Sequence, residues 1–153
     1  VNRAVIKGIN DGKDVYTLIR EIKLPKHLQV PEGFGKISWA IRALYQNYTG
    51  WYDENPLSLL DEPVSSVYGE INSLCGADTL LDRAEKCLES NDCKGALYLS
   101  DIVLHTEPKN SHALTLRKKA CEALLERSSN WGESNLLKHE INRIKKILDS
   151  SQK

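Results

Sequence analysis

Histidine, cysteine and carboxylate side chains are the residues in this sequence that could hold a metal ion or transfer a proton. The four histidines are His27, His105, His112 and His139. None falls in an H-x-H-x-D-H pattern, an H-E-x-x-H pattern or a cysteine-rich zinc pattern. His105 and His112 could meet across the turn TEPKN, but two ligands without a third make a weak metal site. The sequence therefore predicts no metal ligand in this chain.

Patterns for nucleophilic or phosphate chemistry are absent as well. The sequence contains no G-x-S-x-G, no P-loop and no dinucleotide-binding fingerprint. Asp53 and Glu54 are adjacent carboxylates in a turn, and because they point in different directions, turn formation and helix capping explain them better than an acid/base pair. We expect no catalytic residue here, and we expect that the chain alone is not an enzyme.

The four cysteines are Cys75, Cys87, Cys93 and Cys121, and no two of them form a C-x-x-C pair. Each lies on or beside a predicted helix, so we expect free and mostly buried thiols, with a Cys87–Cys93 disulfide as the alternative. Free thiols favour a reducing compartment, and the expected location is cytoplasmic.

Composition restricts the partners of the chain. It has 153 residues, with 21 Lys plus Arg and 21 Asp plus Glu, so its formal net charge is zero. Without a positive field we expect no nucleic acid partner, and without an apolar run of about 20 residues we expect no membrane partner. The length suits a single domain over residues 1–153, and the absence of methionine indicates a fragment of a longer protein.

The spacing of apolar residues is helical in almost every segment. No segment alternates apolar and polar residues like a strand, so the predicted fold class is all-α. Asp14 and Ser111 are predicted to cap helices, Gly50 and Gly76 to end them, and Pro63 to occupy a first turn. The predicted helices cover residues 1–9, 15–24, 37–49, 63–75, 77–88, 96–104, 111–124 and 137–148.

The C-terminal half contains a helical hairpin of a recognisable kind. The segment LLDRAEKCLESNDCKGALYLSDIVLHTEPKN resembles a tetratricopeptide-type hairpin, with Ala84 and Ala96 as the small residues that let paired helices approach. One possible function is therefore a tetratricopeptide-like adaptor that grips an extended peptide. In the last helix, basic side chains surround an apolar stripe, which favours a solvated face opposite a core stripe over binding to a membrane or a partner helix.

The segment YQNYTGWYDENP, residues 45–56, concentrates aromatic residues at a helix end. Tyr45 and Tyr48 share the apolar face of the predicted helix and are expected in the core. Trp51 and Tyr52 follow Gly50, where the chain must turn, and we expect a buried tryptophan at a rigid corner. Pro56 keeps the preceding Asn55 extended, which leaves its amide to bond local backbone.

A longer segment carries a family resemblance. GKISWAIRALYQNYTGWYDENPLSLL resembles the pattern Y-G-x-x-x-H-N-x-x-A-x-Y-Q-x-Y-x-G-W-[YF]-D-x-N-P of the alkylsulfatase-type hydrolases of the metallo-β-lactamase fold. IREIKLPKHL upstream and the segment from LCGADTLLDRAEKC onwards are similar to further elements of that family. The resemblance covers about residues 5–130 and identifies the chain as the helical alkylsulfatase dimerisation domain.

The resemblance implies a role in subunit pairing and in the wall of a substrate pocket. It implies a homodimer, contact with an N-terminal hydrolase domain outside this chain, and zinc in that domain with no cofactor here. It also implies that the parent is a zinc-dependent hydrolase of the sulfuric ester type. Trp39-Ala40 stands where the family has His-Asn, which removes a donor pair for an anion, although Arg42 or Lys36 could still serve one. The pocket candidates are Trp39, Arg42, Trp51, Tyr52, Asp53 and Asn55.

Overall fold

Helices make up the regular structure of the chain. The computed structural model describes residues 1–52 and 55–150, and over these residues it contains eight α-helices and no strand, which confirms the all-α prediction. The helices are α1 (Asn2–Asn10), α2 (Val15–Glu21), α3 (Ile37–Thr49), α4 (Tyr68–Cys75), α5 (Ala77–Glu89), α6 (Cys93–Thr106), α7 (Ser111–Arg127) and α8 (Trp131–Ser150). Three short 3-10 helices cover Lys26–Leu28, Pro56–Leu59 and Val64–Val67.

The chain divides into two compact units. The first contains Val1–Asp61 together with Ser129–Gly132, and the second contains Glu62–Ser128 together with Glu133–Lys153. The sequence predicted a single domain over residues 1–153, and this stays a prediction.

The core of the first unit lies where α1, α2 and α3 pack together. Val5, Leu18 and Ile41 are its fully buried members, one from each helix. Asp14 caps α2 as the sequence predicts, because its carboxylate accepts hydrogen bonds from the backbone N–H groups of Tyr16 and Thr17. Each of the three helices therefore packs against the other two through a single apolar stripe.

The second unit is built around consecutive helical hairpins. α5, α6 and α7 are joined by connections of three and four residues, so successive helices run in opposite directions and pack side by side. Their shared core contains Leu80, Leu81, Ala84, Val103, Ala113 and Leu116. The α5–α6 hairpin is thus present, while its likeness to a tetratricopeptide hairpin stays a prediction.

The roles predicted for Ser111 and Pro63 at helix starts are wrong. Asn110, not Ser111, caps α7, because its side-chain oxygen accepts a hydrogen bond from the N–H of Ala113 at 2.9 Å. Pro63 precedes a 3-10 helix at Val64–Val67, and the α-helix begins only at Tyr68. The sequence VSSV explains this shift, since β-branched and serine residues have low α-helix propensity.

All four cysteines are free, which confirms the prediction of thiols. Cys93 and Cys121 are buried, Cys87 is half-buried and Cys75 is exposed. Burial raises the pKa of the Cys121 thiol. No disulfide therefore links Cys87 and Cys93.

An ion network links three helices of the second unit. The Arg117 guanidinium on α7 pairs with Asp101 on α6, and its Nε lies 2.7 Å from Glu140 on α8. Arg143 binds both oxygens of Glu140 at 2.8 Å. Hydrogen bonds from Arg143 and Arg117 lower the pKa of Glu140 to about 2. Ile141 of α8 is buried, so the stripe of this helix is a core stripe as the sequence favoured.

Candidate functional site

A groove in the first unit collects most of the aromatic residues that the sequence singled out. It lies between the start of α2 and the second half of α3, and its cavity volume is about 310 Å³. Arg42, Gln46 and Thr49 reach it from one face of α3, because spacings of four and three bring side chains to one side of a helix. The lining residues are Asp14, Val15, Tyr16, Arg42, Tyr45, Gln46, Thr49, Gly50, Trp51 and Tyr52.

Arg42 is the cation of the groove. Its guanidinium carbon lies 5.2 Å from the centroid of the Tyr16 ring, which is a cation–π contact. In the part of the chain that the structure describes, no carboxylate lies within ion-pair distance of Arg42. Among the described residues, the contact that the structure gives the Arg42 charge is therefore this aromatic ring.

Trp51 and Tyr52 form the rim of the groove. Their rings are 6.0 Å apart between centroids at an angle of 71°, an edge-to-face arrangement. The prediction of a buried tryptophan is wrong, since the Trp51 side chain is 68% exposed. Gly50 ends α3 with a φ of 77°, a conformation that favours glycine, and the chain turns there directly before Trp51.

The two tyrosines of α3 have different surroundings. Tyr45 is half-buried and packs against the core of Val5, Leu18 and Ile41, as predicted. Tyr48 is 48% exposed, so its predicted place in the core is wrong. Its hydroxyl donates a hydrogen bond to the Asn2 side-chain oxygen at 3.0 Å, which holds it at the surface.

Asp14 is a carboxylate that lines the groove, and local hydrogen bonds hold it. It accepts from the backbone N–H of Tyr16 at 2.8 Å and from the N–H and hydroxyl of Thr17 at 3.0 and 2.6 Å. The Thr17 hydroxyl is the main cause that lowers the pKa of Asp14, and the backbone bonds add to it. Asp14 therefore caps α2 and is ionised at neutral pH.

The structure brings together three of the six predicted pocket residues: Arg42, Trp51 and Tyr52. Trp39 lies outside the groove lining, with its indole against Gly132 and the Lys36 Nζ 5.8 Å from its ring centroid.

The remaining two pocket candidates follow the rim. The Asn55 side-chain oxygen accepts a hydrogen bond from the Leu57 N–H at 3.1 Å and so starts the 3-10 helix at Pro56–Leu59. This local bond is the one that the sequence predicts for an asparagine before proline. Asp53 lies outside the described residues.

Sequence reasoning did not find Tyr16 and Gln46. Gln46 lies four residues after Arg42, so helical spacing could have indicated it. Tyr16 belongs to α2, and only the packing of α2 on α3 brings its ring to Arg42.

The histidines that could have met across the TEPKN turn have separate partners. The His105 ring packs edge-on against Tyr68 at 5.8 Å, and the His112 Nε2 lies 3.1 Å from a Glu85 oxygen. Over residues 1–52 and 55–150, no three His, Cys, Asp or Glu side chains are grouped so that they could hold a metal ion.

Comparison with protein families decides what kind of chain this is. The model of the family described as alkyl sulfatase dimerisation matches residues 15–146. The chain belongs to this family. Membership confirms the resemblance carried by the segment around Tyr45 to Pro56.

Relatives of the family are much longer than this chain. It is 28% identical over 130 residues to an (R)-specific secondary-alkylsulfatase of Pseudomonas sp, a match that covers 81% of this chain and 20% of that protein. It is 25% identical over 144 residues to an alkyl/aryl-sulfatase of Saccharomyces cerevisiae, covering 90% of this chain and 22% of that protein. The chain thus spans about a fifth of the length of these relatives.

Solved structures agree with the family match. A double mutant of the sec-alkyl sulfatase PisA1 is similar over 96% of this chain and 24% of its own, with a TM-score of 0.83 and 25% identity. The stereoselective inverting sec-alkylsulfatase Pisa1 from Pseudomonas sp. is similar over 94% of this chain and 24% of its own, with a TM-score of 0.81 and 25% identity. These comparisons give no support to the adaptor alternative. In the described part of the chain, none of the helices has the length and apolarity needed to cross a bilayer.

Proposed function

We propose that this chain is the subunit-pairing domain of a larger alkylsulfatase-like hydrolase, and that it is not catalytic by itself. The observation that carries the proposal is the family match across residues 15–146, which describes the region as a dimerisation domain. The parent would place its zinc in a separate domain of the metallo-β-lactamase fold. That hydrolase domain would be the second partner of this chain, beside another copy of the chain itself.

The surface of the first unit supports a pairing role. The rings of Phe34 and Trp131 lie with their centroids 6.3 Å apart at an angle of 40°, and their side chains are 87% and 65% exposed. Exposed aromatic side chains held in contact are typical of the residues that contribute most to protein–protein binding. Covering them with a second subunit would remove apolar surface from water.

A second part of the proposal is a role in the substrate-pocket wall of the parent. The groove of Arg42, Trp51 and Tyr52 supports it, because it combines a cation with aromatic faces. Trp39, Asp53 and Asn55 are proposed as further pocket residues on the family resemblance. Free thiols support a cytoplasmic location for the chain.

Light scattering over a range of protein concentrations, with zinc analysis of the same sample, tests the proposal. We expect the molar mass of a dimer and far less than one zinc per chain. Trp131→Glu should reduce the mass to that of a monomer, while Tyr98→Glu, at an exposed ring on α6, should leave the dimer intact. A monomer at every concentration would contradict the pairing role, and stoichiometric zinc would contradict a metal site located elsewhere.

A further inference from the structure

We infer that the groove between α2 and α3 receives Phe34 of a second copy of this chain, so that two copies pair through two reciprocal contacts about a twofold axis. The inference deepens the pairing role and rests on that part of the proposed function. It adds to that role a receiving surface and a geometry. Every residue of the two contact surfaces belongs to the first unit.

Phe34 stands on a loop that is open around it and anchored beneath it. Glycines flank it on both sides, and nothing lies within 4 Å of the Cβ position of either Gly33 or Gly35. The Phe34 ring itself is almost fully exposed. The backbone of the loop is tied down, because the Gly33 carbonyl accepts a hydrogen bond from the Trp131 N–H at 2.6 Å. A side chain on an anchored loop loses little conformational freedom on binding, which favours association.

The groove has the size and the lining that suit one aromatic side chain. Its cavity of about 310 Å³ is at the small end of binding pockets, which span roughly 300–1,000 Å³, so it suits a single ring rather than a whole helix. Trp51 and Tyr52 meet edge to face at its rim and can pack against a third ring. The Arg42 guanidinium, already in a cation–π contact with Tyr16, can take a second ring on its other face.

One face of α3 leads from the groove toward the start of the helix. Trp39, Arg42, Gln46 and Thr49 follow one another at spacings of three, four and three residues, so they form a single stripe. The last three of these line the groove. Trp39 therefore continues the same surface toward the N-terminal end of α3.

The Phe34 loop meets this stripe at the N-terminal end. The Trp39 indole lies against Gly132, and the neighbouring Trp131 holds its ring beside that of Phe34. The 13 residues of α3 give the helix a length of about 20 Å. The exposed ring and the groove thus lie at opposite ends of one helix face.

A twofold axis perpendicular to α3 brings these two ends together. It sets the α3 helices of two copies antiparallel, so the Phe34 end of each copy faces the groove end of the other. Such a contact uses the same surface on both subunits and closes at two copies. It leaves no second Phe34 ring to recruit a third copy.

The side chains on this face are of the kinds that dominate protein interfaces. Aromatic residues and arginine are enriched there, whereas lysine and glutamate are depleted. All three tryptophans and the single phenylalanine of the sequence lie on this face. Its exposed aromatic residues are Tyr16, Phe34, Trp39, Trp51, Tyr52 and Trp131. A second copy would remove this aromatic surface from water.

Analytical ultracentrifugation of the whole chain and of two truncated variants tests the arrangement. Phe34→Ala removes the inserted ring and Trp51→Ala removes a wall of the groove, both at exposed positions. Each variant should raise the dissociation constant of the dimer about ten-fold or more, because each aromatic anchor occurs twice in the dimer. Tyr98→Ala, at an exposed ring of the second unit, should leave the dissociation constant unchanged.

A mixture of the two variants tests whether the ring of one copy meets the groove of the other. Both contacts are defective in the dimer of either variant alone. In a mixed dimer, one contact joins an intact Phe34 to an intact groove. The mixed dimer should therefore be tighter than either variant dimer, and this rescue would also show that both variants are folded. A mixed dimer with an affinity between those of the two variant dimers would mean that the sites act independently, and would overturn the inference.

Two other results would also overturn it. A Trp51→Ala chain that pairs as tightly as the wild type would mean that the groove stays open in the dimer; the pairing role would stand, and the groove would be left for another domain of the parent. Tyr16→Ala, at another exposed ring of the groove, replaces Trp51→Ala if that variant fails to fold. A wild-type chain that stays monomeric at every concentration would refute the pairing role together with this inference.

Discussion

Gly8 is a residue whose missing side chain decides how two helices pack. A Cβ placed on it would lie 2.2 Å from the Leu18 Cδ2 and 3.3 Å from the Leu18 Cγ, and Leu18 is buried. Gly8→Ala should therefore lower the free energy of unfolding by about 1–3 kcal/mol, because the leucine must shift within a packed core. Urea unfolding measures this change. Gly35→Ala is the control, since nothing lies within 4 Å of its Cβ position, and an equal loss in both variants would contradict the packing argument.

Trp51 offers a test of the difference between an exposed rim and a buried corner. Because its side chain is 68% exposed, Trp51→Ala should change the free energy of unfolding by less than about 1 kcal/mol. Ile41→Ala, at a fully buried position of the same unit, should cost about 2–5 kcal/mol. Thermal and urea unfolding of both variants give the comparison. A loss of several kcal/mol for Trp51→Ala would instead indicate that the Trp51 side chain is buried, as the sequence predicted.

Some residues of the groove could be predicted from the sequence, and others could not. Trp51 and Tyr52 belong to the family pattern, and Arg42 was expected as a nearby cation on the helix before them. Tyr16 comes from another helix, so its place beside Arg42 depends on an interhelical contact that spacing within a helix does not contain. The same limit explains Trp51, whose exposure depends on the direction in which the chain leaves Gly50.

Among the elements, α8 is attached to its neighbours by charge as well as by apolar packing. Glu140 has a folded-state pKa of about 2, below its ordinary value of 4.5, since Arg143 and Arg117 bind its ionised form. A depressed folded pKa gives stability that is complete above about pH 4.5 and is lost as the pH falls toward 2. Allowing for partial exposure, we expect a contribution of about 2 kcal/mol at neutral pH.

The variant Glu140→Gln tests that contribution. It should lose about 2 kcal/mol at pH 7 and show a smaller decline in stability than the wild-type chain between pH 5 and pH 2. Glu126→Gln is the control, because Glu126 is exposed on α7. Urea unfolding at several pH values measures all three chains. Parallel pH profiles for wild type and Glu140→Gln would show that Glu140 is not the responsible group.

Helix boundaries show what spacing predicts about elements and what it misses. Apolar periodicity finds the helices because each buries one stripe. The start of α7 was placed one residue late, since Ser111 and Asn110 are both good caps by residue type. The Glu107 carboxylate accepts a hydrogen bond from the Asn110 amide at 2.7 Å and orients it, so the turn before the helix makes the choice.

At the scale of the whole molecule, the main core of each unit is formed by a different set of helices. Val5, Leu18 and Ile41 belong to the first, and the helices α5 to α7 enclose the second. The sequence predicts the helices of both, but it does not contain the contacts that assign a helix to a core. Residues 129–132 illustrate this, because Asn130 donates to the Glu32 carbonyl at 2.6 Å, 98 positions away, and so belongs to the first unit.

The charge balance of the chain predicts how the proposed dimer responds to salt concentration. With 21 basic and 21 acidic side chains, two copies carry no net repulsion, and the exposed, neighbouring rings of Phe34 and Trp131 would supply an apolar contact. Apolar association is insensitive to screening, whereas association through exposed ion pairs weakens as the Debye length shrinks. The molar mass by light scattering should therefore stay that of a dimer from about 0.05 M to about 0.5 M NaCl, where the Debye length falls to roughly 4 Å. Dissociation at high salt would show that charged residues hold the subunits together and would move the search for the pairing surface away from Phe34 and Trp131.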